Sequence, residues 1–160
     1  MLFSTSLLAP LFAVLAAASP LNLPRVISPN HGTIVEPTSG TVVASDTAFP
    51  FTYQDSNWCE GGYTPITVWL LDYAPTTDNL NATGQFLDAT YYFGAYLIGN
   101  FGLGPIGPEL PPPATLTMPD VSELPVGSDV YLAVVETANN CPPGNQPLEY
   151  GLTSTLLVTA

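Results

Sequence analysis

The sequence predicts an all-β fold, and two features of its pattern carry that prediction. Short apolar runs recur along the chain between turn residues, with 18 prolines among its 160 residues. A surface helix shows an apolar stripe that repeats every 3.6 residues, and no segment beyond residue 18 shows one. Short apolar runs between turns are typical of β-sandwiches and β-barrels.

The strands predicted in the first third are short. The runs 26–28 and 33–35 flank a Pro-Asn-His-Gly turn, which predicts one strand broken in two, and 41–43 predicts a short edge piece. Across 49–53, aromatic residues occupy alternate positions. Such alternation predicts a strand with one buried face.

The strongest strands are 64–73 and 129–137, which are apolar on both faces. Strands of that kind lie at the centre of a sheet and are covered on both sides. The runs 114–118 and 150–159 predict two further strands. The segment 86–103 fits one or two strands or a folded loop, and we favour a cover over the outer face of the central strands.

The N-terminus predicts secretion. The apolar run 7–17 is shorter than the ~20 residues that span a bilayer, and Ala16 and Ala18 form a small-residue cleavage site. We therefore predict a signal peptide over 1–18 and a single extracellular domain over 19–160. The apolar C-terminal end is too short for a lipid-anchor signal.

Composition narrows the set of partners. The chain has 13 acidic residues, one Lys or Arg and a net charge of −12. Nucleic acids and anionic membranes are bound through clustered cations, so the sequence predicts neither as a partner. In a secreted chain, the two cysteines, Cys59 and Cys141, predict a disulfide. The sequon at Asn81 predicts a glycosylated surface loop and hence an acidic glycoprotein.

Two observations favour an immunoglobulin/fibronectin-III-like antiparallel β-sandwich. Tyr131 follows the turn 124–127, as in the tyrosine corner of these domains, where the ring points inward and hydrogen-bonds back to the turn. Cys59 precedes the strand 64–73 and Cys141 follows the strand 129–137. If these are antiparallel neighbours, both cysteines lie at the same end of the sheet and can meet.

The chain resembles a group of small secreted proteins of filamentous, especially mushroom-forming, fungi. The phrases that carry the resemblance are FPFTY at 49–53, NWCEGGY at 57–63, LTMPD at 116–120, VVET at 134–137 and YGLTS at 150–154. A more distant similarity is to the immunoglobulin-like N-terminal domains of fungal cell-wall assembly proteins. The resemblance implies a secreted sandwich and no particular activity.

Metal, cofactor and nucleophile chemistry is not predicted. His31 is the only histidine, and zinc and copper sites need two or more His or Cys ligands. A Ser-His-Asp triad would have to use this residue, and the chain has no G-x-S-x-G motif. We therefore expect His31 to be a solvated turn residue.

Carboxylates are the one catalytic resource of the chain. Glycoside hydrolysis needs two of them ~5–10 Å apart, and Glu60 and Glu136 are both expected near the disulfide. The alternative is that Glu136 accepts hydrogen bonds from a loop and that Glu60 is simply exposed.

A ligand-binding site is predicted at the same end of the domain. There Trp58 and Tyr63 would stack against a sugar, while Asn139 and Asn140 would hydrogen-bond its hydroxyls. A second aromatic group is either a stacking platform or, as we favour, hydrophobic cover. Its members are Tyr91, Tyr92, Phe93, Tyr96 and Phe101.

The sequence thus predicts a secreted, non-enzymatic module that binds extracellular carbohydrate or cell-wall material. The first alternative is an effector-like module that binds a protein. A carboxylate-based glycoside hydrolase is the less favoured alternative.

Overall fold

The computed structural model describes residues 26–160 except 109, 140, 142, 143, 145 and 146. The predicted signal peptide, 1–18, lies outside these residues. Within them the fold is all-β, as predicted, with one short 3-10 turn at Thr77–Asn79. The strands are β1 (Val26–Ile27), β2 (Thr33–Glu36), β3 (Thr41–Val43), β4 (Ala48–Pro50), β5 (Thr52–Gln54), β6 (Tyr63–Leu71), β7 (Tyr91–Gly99), β8 (Thr115–Thr117), β9 (Asp129–Ala138) and β10 (Glu149–Thr159).

The main sheet is mixed and contains six strands in the order β1-β10-β9-β6-β7, with β3 also beside β10. Strand β9 runs antiparallel to both of its neighbours, β6 and β10, whereas β1 and β3 run parallel to β10. The two strands that are apolar on both faces, β6 and β9, are therefore central, as predicted.

Two small antiparallel strand pairs are not hydrogen-bonded to this sheet as strands. Strand β2 pairs with β5, and β4 pairs with β8. The predicted strand over 49–53 is thus divided at Phe51, whose N–H donates to the carbonyl of Ala114 at 2.9 Å. The chain changes its pairing strand at Phe51: β4, before it, pairs with β8, and β5, after it, pairs with β2.

One face of the main sheet packs against these small pairs. Alternate side chains of a strand point to opposite faces, so Ile66, Val68 and Leu70 of β6 lie on one side. They share a buried cluster with Phe49 of β4 and Leu116 of β8. This cluster forms the inner core, and it also contains Val130, Leu132, Val134 and Leu157.

The opposite, outer face carries Trp69 of β6 and is covered by the segment between β6 and β7. Leu80 and Phe86 of that segment are buried there, and the ring centroids of Trp69 and Phe86 lie 5.9 Å apart. Residues 86–103 were predicted to cover the outer face of the central strands. This prediction is confirmed for Phe86 and is wrong for residues 91–99. Residues 91–99 form β7, because the edge of β6 away from β9 needs a hydrogen-bonding partner.

The predicted tyrosine corner is wrong. Val130 and Leu132 point into the inner core, so alternation places Tyr131 on the outer face, where it is half-buried. Its hydroxyl forms no hydrogen bond with another described residue. Thr159 holds the turn instead: it accepts a backbone hydrogen bond from Gly127 at 2.8 Å, and its Oγ1 donates to the Pro125 carbonyl at 2.8 Å.

Candidate disulfide-end site

The predicted disulfide is present at one end of the main sheet. Cys59 lies just before β6 and Cys141 just after β9, and their Cα atoms are 4.7 Å apart. Because β6 and β9 are antiparallel neighbours, the start of one and the end of the other share this end. The bridge joins the loop before β6 to the loop after β9.

A small cleft of about 110 Å³ opens beside the disulfide. It contains three of the residues predicted to bind a ligand: Tyr63, Glu136 and Asn139. The rest of its lining consists of Asn57, Cys59, Gly61, Thr64, Pro65, Thr137 and Ala138. The loop before β6 and the end of β9 therefore form opposite walls of one site.

The other predicted ligand residues do not line this cleft. Glu60 is exposed and has a left-handed backbone (φ 50°). Trp58 is half-buried, and its Nε1 is buried without a hydrogen bond to any residue that the structure describes. Asn140 lies outside the described residues. The predicted pairing of Glu60 with Glu136 across a cleft is therefore not observed.

Glu136 is held by four hydrogen bonds, and only 2 % of the residue is exposed. Its Oε2 accepts from the Gly32 N–H at 2.9 Å, the Tyr53 hydroxyl at 2.9 Å and the Ser56 N–H at 3.2 Å. Its Oε1 accepts from the Ser56 hydroxyl at 2.6 Å. The described chain contains no Lys or Arg, so these donors stabilise the buried carboxylate. Glu136 accordingly accepts hydrogen bonds from loops, as the alternative interpretation predicted.

A second polar network fixes the loop that forms one wall of the cleft. The Nδ2 of Asn100 donates to Asn57 Oδ1, the Gly61 carbonyl and Thr64 Oγ1 at 3.1, 3.0 and 2.9 Å. Thr64 in turn donates to Asp55 Oδ2 at 2.6 Å. Asn100 directly follows β7, so the edge strand helps to position this wall. Sequence reasoning missed Asn100, and nothing in its local sequence marks it.

Tyr53 connects the Glu136 network to the small strand pair β2–β5. Its hydroxyl donates to Glu136 and accepts the Gly32 N–H at 2.9 Å. Burial, and after it the negative charge of Glu136, raises the pKa of Tyr53 well above its ordinary value of 10.0. Ionisation of this phenol would place a second negative charge beside a buried carboxylate.

Alkaline pH is therefore expected to destabilise the protein through Tyr53. The pKa of Tyr53 is higher in the folded protein than in the unfolded chain, where it is about 10. The stability that Tyr53 contributes is therefore complete below pH about 10 and is lost as the pH rises above that value. The free energy of unfolding, measured in urea at about pH 8 and about pH 11, should fall less between the two pH values for Tyr53→Phe than for wild type. A Tyr91→Phe control should behave as wild type. Equal losses in wild type and Tyr53→Phe would contradict this assignment.

The five clustered aromatic residues do not form one platform. Tyr92 stacks on Trp69 of the outer face with ring centroids 4.3 Å apart. Phe93 and Tyr96 pack against the inner core instead. Tyr91 and Tyr92 are each 45 % exposed, and Phe101 is 75 % exposed in the turn after β7. The group is thus divided between two faces and a turn.

An unpredicted apolar feature lies beside the site. The apolar loop, residues 101–108 and 110, exposes Phe101, Leu103, Ile106 and Leu110. It is attached to the cleft by Tyr63, whose hydroxyl donates to the Gly104 carbonyl at 2.9 Å. Apolar side chains concentrated in one exposed segment are a feature of interaction surfaces.

Neither a metal cluster nor a membrane helix is found in the described part of the chain. No three or more His, Cys, Asp or Glu side chains there are grouped to hold a metal ion. His31 is exposed, and its Nδ1 lies 2.8 Å from the Gly32 carbonyl. Helices with the length and apolar character needed to cross a membrane are likewise absent from these residues.

Comparison with known proteins identified no relative. No protein-family model, curated protein or solved structure matches the chain.

Proposed function

We propose that the chain is a secreted, non-enzymatic β-sandwich module that binds extracellular carbohydrate in the cleft beside the disulfide. The observation that carries the proposal is the convergence of Tyr63, Asn57 and Asn139 on one cleft. An aromatic ring packs against the apolar C–H face of a sugar, and side-chain amides both donate to and accept from its hydroxyls. The volume of about 110 Å³ suits one substituent of a sugar, such as a hydroxymethyl group, with the ring lying across the mouth of the cleft.

The lining of the cleft favours binding over hydrolysis. Glycosidases place two carboxyl groups across the bond that is cleaved. Glu136 is the single carboxylate that the described residues contribute to the lining, and its oxygens already accept four hydrogen bonds. Glu60 lies outside the cleft. A ligand therefore meets amides, hydroxyls and a ring rather than an acid–base pair.

The proposal includes an immunoglobulin-like arrangement of the strands. Strands β6, β9 and β10 are adjacent in the order that strands C, F and G have in those domains. The pairs β2–β5 and β4–β8 supply the facing layer through the inner core. The ligand in this proposal is cell-wall polysaccharide, because it is the extracellular carbohydrate that a secreted protein of the resembled fungal group would meet.

A second candidate function is binding of a protein through the apolar loop. Phe101 and Leu110 are 75 % and 68 % exposed. Large exposed apolar side chains are enriched where proteins meet. The loop and the cleft are neighbours, so variants of each are needed to distinguish the two candidates.

The carbohydrate proposal is tested by retention of the purified protein on insoluble chitin, β-glucan and cellulose. We expect retention on one polymer and its loss in Asn139→Ala, which removes an exposed amide of the cleft. Tyr92→Ala, on the edge strand, and Phe101→Ser, in the apolar loop, are the matched controls and should be retained. Circular dichroism confirms that each variant is folded.

Three other outcomes would contradict binding in the cleft. No retention on any polymer would reject the proposal for these ligands. Retention that Asn139→Ala keeps and Tyr92→Ala loses would place the site on β7. Retention that only Phe101→Ser loses would favour the apolar loop as the contact surface.

A further inference from the structure

We propose that Asn81 carries an N-linked oligosaccharide and that the turn around it is built to accommodate this glycan. The modification requires passage through the secretory pathway, which the N-terminal sequence predicts. It does not depend on carbohydrate binding in the cleft. Three features of the turn support this site: the hydrogen bonds of Asn81, the packing of Gly84 and the burial of the flanking residues.

The sequon lies at the tip of a tight hairpin in the segment that covers the outer face. Leu80 and Phe86 form a β-bridge at the base of this hairpin, and both are buried. The Asn81 N–H donates to the Gln85 carbonyl at 2.8 Å, and the Gly84 N–H donates to the Asn81 carbonyl at 3.1 Å. The base of the hairpin is therefore anchored in the core.

The side chain of Asn81 uses only its oxygen to stabilise the turn. Its Oδ1 accepts from the Thr83 N–H at 2.8 Å, the Thr83 hydroxyl at 2.8 Å and the Gln85 N–H at 3.0 Å. Its Nδ2 forms no hydrogen bond with any other described residue. A sugar on Nδ2 leaves the oxygen in place, so glycosylation costs the turn none of these bonds.

Gly84 determines which side of the hairpin faces solvent. A Cβ at this position would lie 2.3 Å from Cδ1 of Tyr150, and the backbone is left-handed with φ +71°. Only glycine fits such a close approach. With Gly84 against the core, Ala82 and Thr83 are exposed. Asn81 is itself half-buried beside these two exposed residues, so the acceptor side of the turn borders solvent.

The modification is a substitution at the anomeric carbon of a lipid-linked oligosaccharide diphosphate. A bond forms between Nδ2 of Asn81 and that carbon, and the bond from the carbon to the diphosphate oxygen breaks. The diphosphate leaves with the electron pair, and Nδ2 loses one proton. The transfer acts on the emerging chain, and the folded turn then has to hold the product.

The test is expression of the full chain in a eukaryotic host and measurement of its intact mass before and after peptide-N-glycosidase treatment. We expect secreted protein with added carbohydrate mass that the enzyme removes. Asn81→Gln and Thr83→Val should lack this mass. Thr83→Ser, which keeps the hydroxyl, and Asn79→Gln, which alters a neighbouring amide outside the sequon, should retain it.

Three results would overturn the proposal. One is wild-type protein in the medium at the mass of the bare polypeptide. Another is a chain that stays in the cytosol without glycan, because it never reaches the transfer step. Retention of the carbohydrate mass in Asn81→Gln would place the modification elsewhere and would also reject Asn81 as the site.

Discussion

Removal of the disulfide is expected to lower the free energy of unfolding by about 4 kcal/mol. Cys59 and Cys141 are separated by 82 positions, and closing so long a loop strongly restricts the unfolded chain. The chain-entropy model gives roughly 4.5 kcal/mol for a loop of this length. Urea unfolding of the Cys59→Ser, Cys141→Ser double variant measures the loss as a shift in midpoint.

The reductant provides the matched control for this experiment. Wild type unfolded with reductant present should match the double variant, and the double variant should not respond to reductant. If wild type and the double variant unfold at the same urea concentration, the bridge does not stabilise the fold.

Replacement of Glu136 by alanine is expected to cost about 3–5 kcal/mol. The change removes the acceptor of the Tyr53 hydroxyl and of both Ser56 donors, and it leaves the Gly32 N–H with the Tyr53 oxygen alone. Buried donors without partners lose the full hydration that they had in the unfolded chain. Because these donors belong to three separate segments, the loss should loosen the turn before β2, strand β5 and the loop that follows it.

Glu60→Ala is the control for Glu136→Ala. Glu60 is exposed and makes none of these bonds, so its replacement should change stability by no more than about 0.5 kcal/mol. Glu136→Gln keeps one acceptor oxygen and should fall between the two. Urea unfolding of all three variants measures the differences. Equal stability of Glu136→Ala and Glu60→Ala would show that the network does not hold these segments together.

The central strands could be predicted because burial on both faces produces a nearly continuous apolar run in the sequence. A strand covered on each side has no solvent face on which polar residues alternate, and β6 and β9 show this pattern. Their antiparallel pairing then places Cys59 beside Cys141. The disulfide end of the domain therefore follows from local pattern and topology together.

Strand β7 could not be assigned because its pattern is interrupted. The pairing of β6 with β7 shifts register between Val68 and Trp69, and Gly94 opposite has a φ of 143°. Such a bulge breaks the period-2 alternation by which strands are identified. The tyrosine-corner prediction for Tyr131 was wrong for a related reason. The spacing of Tyr131 from the turn does not reveal which face of β9 it occupies.

The lining of the cleft could be predicted in part, and the residues that do not line it also have physical causes. Tyr63 and Asn139 lie near the cysteines in sequence, and the topology brings them together. Trp58 and Glu60 are just as near, but the loop turns sharply at Asn57 and Glu60, where φ is 42° and 50°. The network of Asn100 depends on contacts between distant segments and leaves no local signal.

Nuclear magnetic resonance can determine whether the cleft beside the disulfide binds carbohydrate. Soluble fragments of chitin, β-glucan and cellulose would be titrated into the labelled protein while its backbone amide shifts are followed. If the cleft binds carbohydrate, one fragment should cause saturable shifts centred on Gly61, Thr64, Thr137 and Asn139. Shifts confined to the apolar loop or to β7, or no shift with any fragment, would contradict binding in the cleft.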